Sequence, residues 1–327
     1  MRNILNAFLR RYPLWISLAV YWSLVWLLLI IGKEKCEGHF IYPLDDTYIH
    51  MAVAKHFVND GFWGVSLNGF SSSSSSPIWT FFIAIIYKWF GIRDSVPLWL
   101  NLLFGTIFIC YCNRLFKQTN NIRRLVYLLL IILLVPLPTL TLIGMEHIFH
   151  ALIAVGLIYS AGDYLSKKDR NTNKIILLVF FSGLILLVRY EGIFCIGGIV
   201  FLFFIKRRFL VGIVIGLLSF VPMAAYGLYS MAHGWYFLPN SIIMKGVARL
   251  ATAESLLSFI MNFQIELSAN SYAIVLLTSA LVLYWLGKQK KTVSPQSGFL
   301  VFLFITSFLL HILFARLGWY FRYEAYL

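Results

Sequence analysis

Residues 77–91 read PIWTFFIAIIYKWFG, and whether they cross a membrane decides the topology of everything that follows. The run is apolar but short. At ~1.5 Å per residue it reaches roughly 22 Å, less than a ~30 Å hydrocarbon core. Charge decides better than length. The basic loops are the N-terminus (Arg2, Arg10, Arg11), Arg114 to Arg124, Lys167 to Lys174, Lys206-Arg207-Arg208 and Lys288 to Lys291. If 77–91 does not cross, all of them fall on one side; if it crosses, the later ones oppose the first. Cytoplasmic loops of membrane proteins carry the excess of lysine and arginine. The segment is therefore expected to be a juxtamembrane helix at the outer face, with Lys88, Trp79, Tyr87 and Trp89 suited to an interface.

Outward from that segment, apolar runs of span-like length lie at about 14–32, 96–116, 125–143, 148–165, 175–191, 193–205, 209–230, 272–287 and 297–314. Some fall short of the ~20 residues a straight span needs and have to borrow flanking residues. The composition agrees: of 327 residues 60% are hydrophobic, 17% aromatic and only 12% charged. The expected fold class is all-α, a polytopic membrane helix bundle. In a soluble chain a net charge of +14 would suggest nucleic acid. Here the basic residues sit in short loops and are suited to anionic headgroups, so membrane lipids are expected partners and nucleic acid is not. Cys36, Cys110, Cys112 and Cys195 show no CxxC and no metal-ligand spacing. The apolar run Leu14 to Ile31 is long, and Gly32-Lys33-Glu34-Lys35 offers no small-residue cleavage site, so it is expected to be a retained helix rather than a signal peptide.

The topology gathers the chemically capable residues on the outer side. Residues 42–79, YPLDDTYIHMAVAKHFVNDGFWGVSLNGFSSSSSSPIW, hold adjacent carboxylates, a short helical pattern and six serines before Pro77. Asp45 and Asp46 repel each other, so one pKa should rise unless a cation or metal compensates. Such a carboxylate can act as general base toward a hydroxyl; the plainer role is a cap for a helix starting near Thr47. Glu146 and His147 lie in a short loop between apolar runs. Glu146 is a favourable charge at a helix N-terminus or a substrate contact, and His147 an oriented polar group. Arg189 and Glu191 are close enough to pair. An arginine at that depth needs a cavity or a partner, and a phosphate would serve. Lys245, after Leu238-Pro239-Asn240-Ser241, and Arg316 and Arg322 each read as a snorkelling cation or a phosphate contact. His50 and His56 read as local polar residues. The serine run offers hydroxyl and backbone donors to a sugar or phosphate, or is loop filler.

Taken in order, these pieces resemble the GT-C fold, polyprenyl-phosphate-sugar-dependent glycosyltransferases. The likeness is greatest to the arabinofuranosyltransferase-like branch, with protein O-mannosyltransferases more distant. The carriers are Asp45-Asp46-Thr47-Tyr48-Ile49, Gly69-Phe70-Ser71 to Pro77-Ile78-Trp79, Gly144-Met145-Glu146, Arg189-Tyr190-Glu191-Gly192, Leu238-Pro239-Asn240 with Lys245, and Arg322-Tyr323. The chain departs from the family pattern at Tyr190, where proline is usual, at His147 and in its six serines. These departures bear on the substrate more than on the reaction.

The resemblance implies a single transmembrane domain over residues 1–327. Residues 33–95 would form a first outer loop containing the juxtamembrane helix and 231–271 a second, with the family's C-terminal outer domain absent. It implies a multi-pass enzyme of the bacterial cytoplasmic (inner) membrane with its active site facing the periplasm. A sugar on a polyprenyl phosphate would be transferred, with inversion, to a glycan, lipid or protein acceptor. Asp45 is the implied base, beside Asp46. Arg189, Lys245 and Arg322 would hold the donor phosphate, and Tyr48, Ser75, Trp79, Glu146, His147, Glu191 and Asn240 would contact substrate. The fold includes metal-dependent and metal-independent enzymes, so a divalent metal is an open cofactor. The rivals are a lipid-linked sugar transporter, which predicts ionisable residues near the midplane and broken helices, and a non-catalytic scaffold of an envelope polysaccharide complex.

Overall fold

The computed structural model of the chain describes residues 11–166, 172–243, 271–289, 295–314 and 325. Among these residues helices form and strands do not. In order they are α1 (Pro13–Lys35), α2 (Asp45–Asn59), α3 (Pro77–Phe90), α4 (Val96–Leu115), α5 (Asn121–Leu134), α6 (Leu137–Ile143), α7 (His147–Ser166), α8 (Thr172–Val188), α9 (Gly192–Ile205), α10 (Phe209–Ala232), the short turn α11 (Asn240–Ile242), α12 (Ser271–Gln289) and α13 (Pro295–Phe314).

Among the described residues α1, α4, α7 and α10 are long and apolar enough to cross a membrane, and the bent pair α5–α6 is a fifth when taken as one span. The chain is a multi-pass, all-helical membrane protein. Local chemistry sets the boundaries. Pro13 and Pro97 occupy first turns, where a missing N–H costs nothing. The Asn120 side chain caps α5 by accepting from the Arg123 N–H at 2.8 Å. Lys33 and Lys35 place cations in the last turn of α1. The run 125–143, expected as one span, is instead two helices meeting at 40°. Pro136 and Pro138 supply no N–H to the preceding turn, so the ladder breaks there.

The chain divides into two compact units: Met1–Ser66 with Trp79–Leu152 and Tyr320–Tyr326, and Leu67–Ile78 with Ile153–Trp319 and Leu327. In the first unit α1 lies against α4, α5 and α6. Tyr21 of α1 is fully buried and shares a 2.7 Å hydrogen bond with Thr141 of α6. α2, α3 and α4 enclose a core of Ala54, Trp79, Ile83, Ala84, Tyr87, Val96 and Leu100. Trp79, Ile83 and Tyr87 recur every four residues and so form one stripe of α3. That stripe turns Trp79 and Tyr87 into the protein rather than toward a membrane interface, while Trp89 stays 76% exposed beside an exposed Lys88. In the second unit α10 packs along α8 and α9, and α13 packs on α9 and α12.

Candidate functional site

The acidic pair opens α2. The helix begins at Asp45 rather than near Thr47, with Leu44 as an N-cap that offers no side-chain bond, so neither carboxylate caps it; Asp45 Oδ1 accepts only from the next N–H, that of Asp46, at 2.9 Å. Asp45 is exposed and Asp46 half-buried. One turn on, the stripe Thr47, His50, Met51, Ala54 is buried, at the spacing of one helix face. Tyr42 fixes the chain that leads in. Its N–H donates to Tyr48 Oη at 2.9 Å, its own hydroxyl donates to the Asp94 carbonyl at 2.7 Å, and it accepts from the Leu98 N–H at 3.0 Å at the start of α4. Burial pushes the Tyr42 phenol far above its ordinary value, so it remains a donor at any physiological pH. Tyr48 thus braces residues 42–48 with its hydroxyl while its ring is 40% exposed.

The corner between α6 and α7 docks on this helix residue by residue. The Thr47 hydroxyl donates to the Ile143 carbonyl at 2.7 Å, satisfying an end-of-helix acceptor. Gly144 adopts φ +75, and a Cβ there would lie 2.5 Å from the Tyr42 ring and 2.8 Å from the Thr47 methyl. Glu146, fully buried, turns its carboxylate to His50, with Oε2 3.7 Å from Nε2. His50 Nδ1 lies 2.7 Å from the hydroxyl of Thr80, also fully buried. The Glu146 carbonyl accepts from the His150 N–H at 2.8 Å, so the residue also opens α7. His147 and His150 are each 1% exposed. Gly144→Ala combines a left-handed backbone, ~1–2 kcal/mol, with a clash against two packed groups, ~1–3 kcal/mol. It is expected to lower the thermal unfolding midpoint in detergent markedly, with no loss of polar groups; an unchanged midpoint would show that the corner does not hold this shape.

The second unit carries two further groups. Arg189, 6% exposed, pairs with Glu191 through Nη2 and Oε1 at 2.5 Å across the tight link between α8 and α9. Gly192 makes the link tight: a Cβ there would sit 2.6 Å from the Ile185 side chain. The serine run is extended, with Ser72, Ser74 and Ser76 fully buried and Ser71, Ser73 and Ser75 half-buried in alternation. The Asn240 N–H donates to the Ser72 carbonyl at 2.9 Å, so the Leu-Pro-Asn segment is bonded to the serine run. Phe70, just before it, packs on Tyr229 and His233 at the end of α10, with centroids 5.3 and 4.6 Å away.

Comparison with known proteins finds no matching family model, no matching curated protein and no matching solved structure. The site is therefore described from its own geometry. Asp45, Asp46, Tyr48, Trp79, Glu146 and His147 belong to the first unit; Ser75, Arg189, Glu191 and Asn240 belong to the second. Lys245 and Arg322 lie outside the described residues. Trp79 is fully buried among core side chains, 6.1 Å between centroids from Phe104. Among the described residues no group of three or more His, Cys, Asp or Glu is arranged to hold a metal ion. The sequence reads His50 only as a local polar residue and does not single out Thr80. The available signal was a histidine on the buried stripe of α2, four residues after Asp46, where a polar ring needs a partner.

Proposed function

We propose that the protein is a membrane glycosyltransferase that uses a polyprenyl-phosphate-linked sugar at the outer face of a bacterial inner membrane. The observation that carries this reading is the exposed Asp45 carboxylate, set at the head of a helix whose opposite face is buried and bonded, in a chain otherwise made of apolar helices. Asp45 takes the proton of an acceptor hydroxyl. The freed oxygen attacks the anomeric carbon, the bond from that carbon to the phosphate oxygen breaks, and polyprenyl phosphate leaves, with inversion. Arg189, whose guanidinium fork matches phosphate oxygens, is the candidate cation for the charge that develops on the leaving phosphate, as are Lys245 and Arg322 from the sequence. The positive-inside rule, applied to the basic loops, supports an outer-side position for Asp45, the Glu146 corner and Arg189.

The test is transfer by the full chain in native membranes from a panel of polyprenyl-phosphate sugars, reading both glycosylated product and released polyprenyl phosphate. Release in step with product is the expected result; no transfer from any donor overturns the reading. A second reading, a lipid-linked sugar transporter, is favoured by one observation: the broken α5–α6 pair runs directly into a buried carboxylate and imidazole. It predicts donor translocation in proteoliposomes without transfer.

A further inference from the structure

The Asp45 turn is not held by its own helix terminus. α2 starts after Leu44 with no side-chain cap, and the contact made by Asp45 reaches only the next N–H. What fixes α2 lies one turn below, where three chain segments meet: His50 of α2, Thr80 in the first turn of α3 and Glu146 before α7. All three are at most 1% exposed. An ionisable pair in such a place is a poor source of stability, since a well-packed apolar pair of equal volume does as well or better. It is a good source of direction, because each group admits few geometries.

We infer that Glu146 and His50 are a positioning pair that aims the Asp45 turn through Thr80. This assignment rests on the reading of Asp45 as the base. The Glu146 carboxylate faces Nε2 of the ring at 3.7 Å, an ion-pair distance rather than a hydrogen bond. Nδ1, on the other side of the ring, shares a 2.7 Å hydrogen bond with the Thr80 hydroxyl. The hydrogen bond on one side of the ring and the facing carboxylate on the other restrict the ring plane. The ring plane in turn sets the rotation of α2 about its axis. Asp46 precedes His50 by four residues and so shares its face, and Asp45 lies one position further round. No proton leaves the array; its work is orientation.

The experiment reads the turn directly. In a Cys36→Ser background, Asp45→Cys supplies a thiol whose rate of alkylation by N-ethylmaleimide reports local opening of the turn. Glu146→Gln, His50→Asn and the double variant are each expected to raise that rate severalfold. The double should raise it no further than the singles, since two groups acting as a unit are not additive. Thr80→Val should raise the rate as well and Thr80→Ser should leave it native, which keeps the inference testable where the buried variants do not fold. In chains that retain Asp45, Glu146→Gln is expected to lower kcat about 10-fold to 10²-fold, with donor KM within about twofold of native. An unchanged alkylation rate in Glu146→Gln or Thr80→Val, or effects that multiply, overturns the pair. A rise in donor KM instead puts Glu146 against substrate and equally overturns it. Coupled alkylation in a protein that transfers nothing leaves the pair standing and removes only the glycosyltransferase reading.

Discussion

Asp45→Asn is expected to lower sugar transfer by at least ~10², the usual worth of a general base. The substitution isolates basicity from structure. The amide oxygen of asparagine can still accept from the Asp46 N–H, and asparagine is as good a residue as aspartate at a helix start. The thermal unfolding midpoint should therefore stay at the native value while product formation and polyprenyl-phosphate release fall together. Asp46→Asn is the internal control. Asp46 is half-buried while Asp45 is exposed, so the base assignment predicts a much smaller loss there. Equal transfer by Asp45→Asn and native protein would remove Asp45 as the base and move that role to Asp46 or Glu146.

Arg189 yields the second large expected effect, and three variants separate its ion pair with Glu191 from the proposed phosphate contact. Arg189→Ala strands Glu191 in a largely buried link, and breaking such a pair costs about 3–5 kcal/mol, so a lower unfolding midpoint is expected from that variant. Arg189→Lys keeps the charge and restores most of the stability, but a single ammonium cannot present two parallel donors to phosphate oxygens. Transfer by folded Arg189→Lys is therefore expected to fall about 10² in kcat, the range seen when one preorganised donor to developing charge is lost. Glu191→Gln touches the pair without touching the guanidinium. It should lower the midpoint while leaving kcat per folded molecule near native. If Arg189→Lys and Glu191→Gln behave alike, with a lower midpoint and native kcat, the pair is structural only and the leaving phosphate is held elsewhere.

The spans were legible because hydrophobic runs and helix-start residues coincide. The run from Leu14 is α1 from Pro13, and the run from 209 is α10. The 125–143 run passes as one span only as a bent pair; hydropathy is blind to what proline does to a hydrogen-bond ladder, and Pro136 and Pro138 mark the break. On α3 the aromatics were visible but their direction was not. Spacing alone puts Trp79 and Tyr87 on one face, and only the packing of α2 and α4 shows that this face is inside. The candidate site divides the same way. Pairings two residues apart, such as Arg189 with Glu191, are apparent in the chain. His50, Thr80 and Glu146 come from three separate segments, and no local pattern joins them before the fold does. The expected cap at Asp46 is absent because the helix takes both carboxylates into its first turn, and the residue before them, Leu44, has no polar side chain to cap with.

The hydroxyl of Thr47 and the carbonyl it serves are 96 positions apart in the chain. A ribosome adding ~5–20 residues per second needs about 5–20 seconds to bridge that interval. Throughout that time the acidic head of α2 has been made, and the corner that receives it has not. The first unit thus gains the return contact from α6 to α2 only after residue 143 has been made. A nascent chain stopped before that point carries both carboxylates of the turn, with the Tyr42 and Thr80 contacts but without the corner that docks on Thr47.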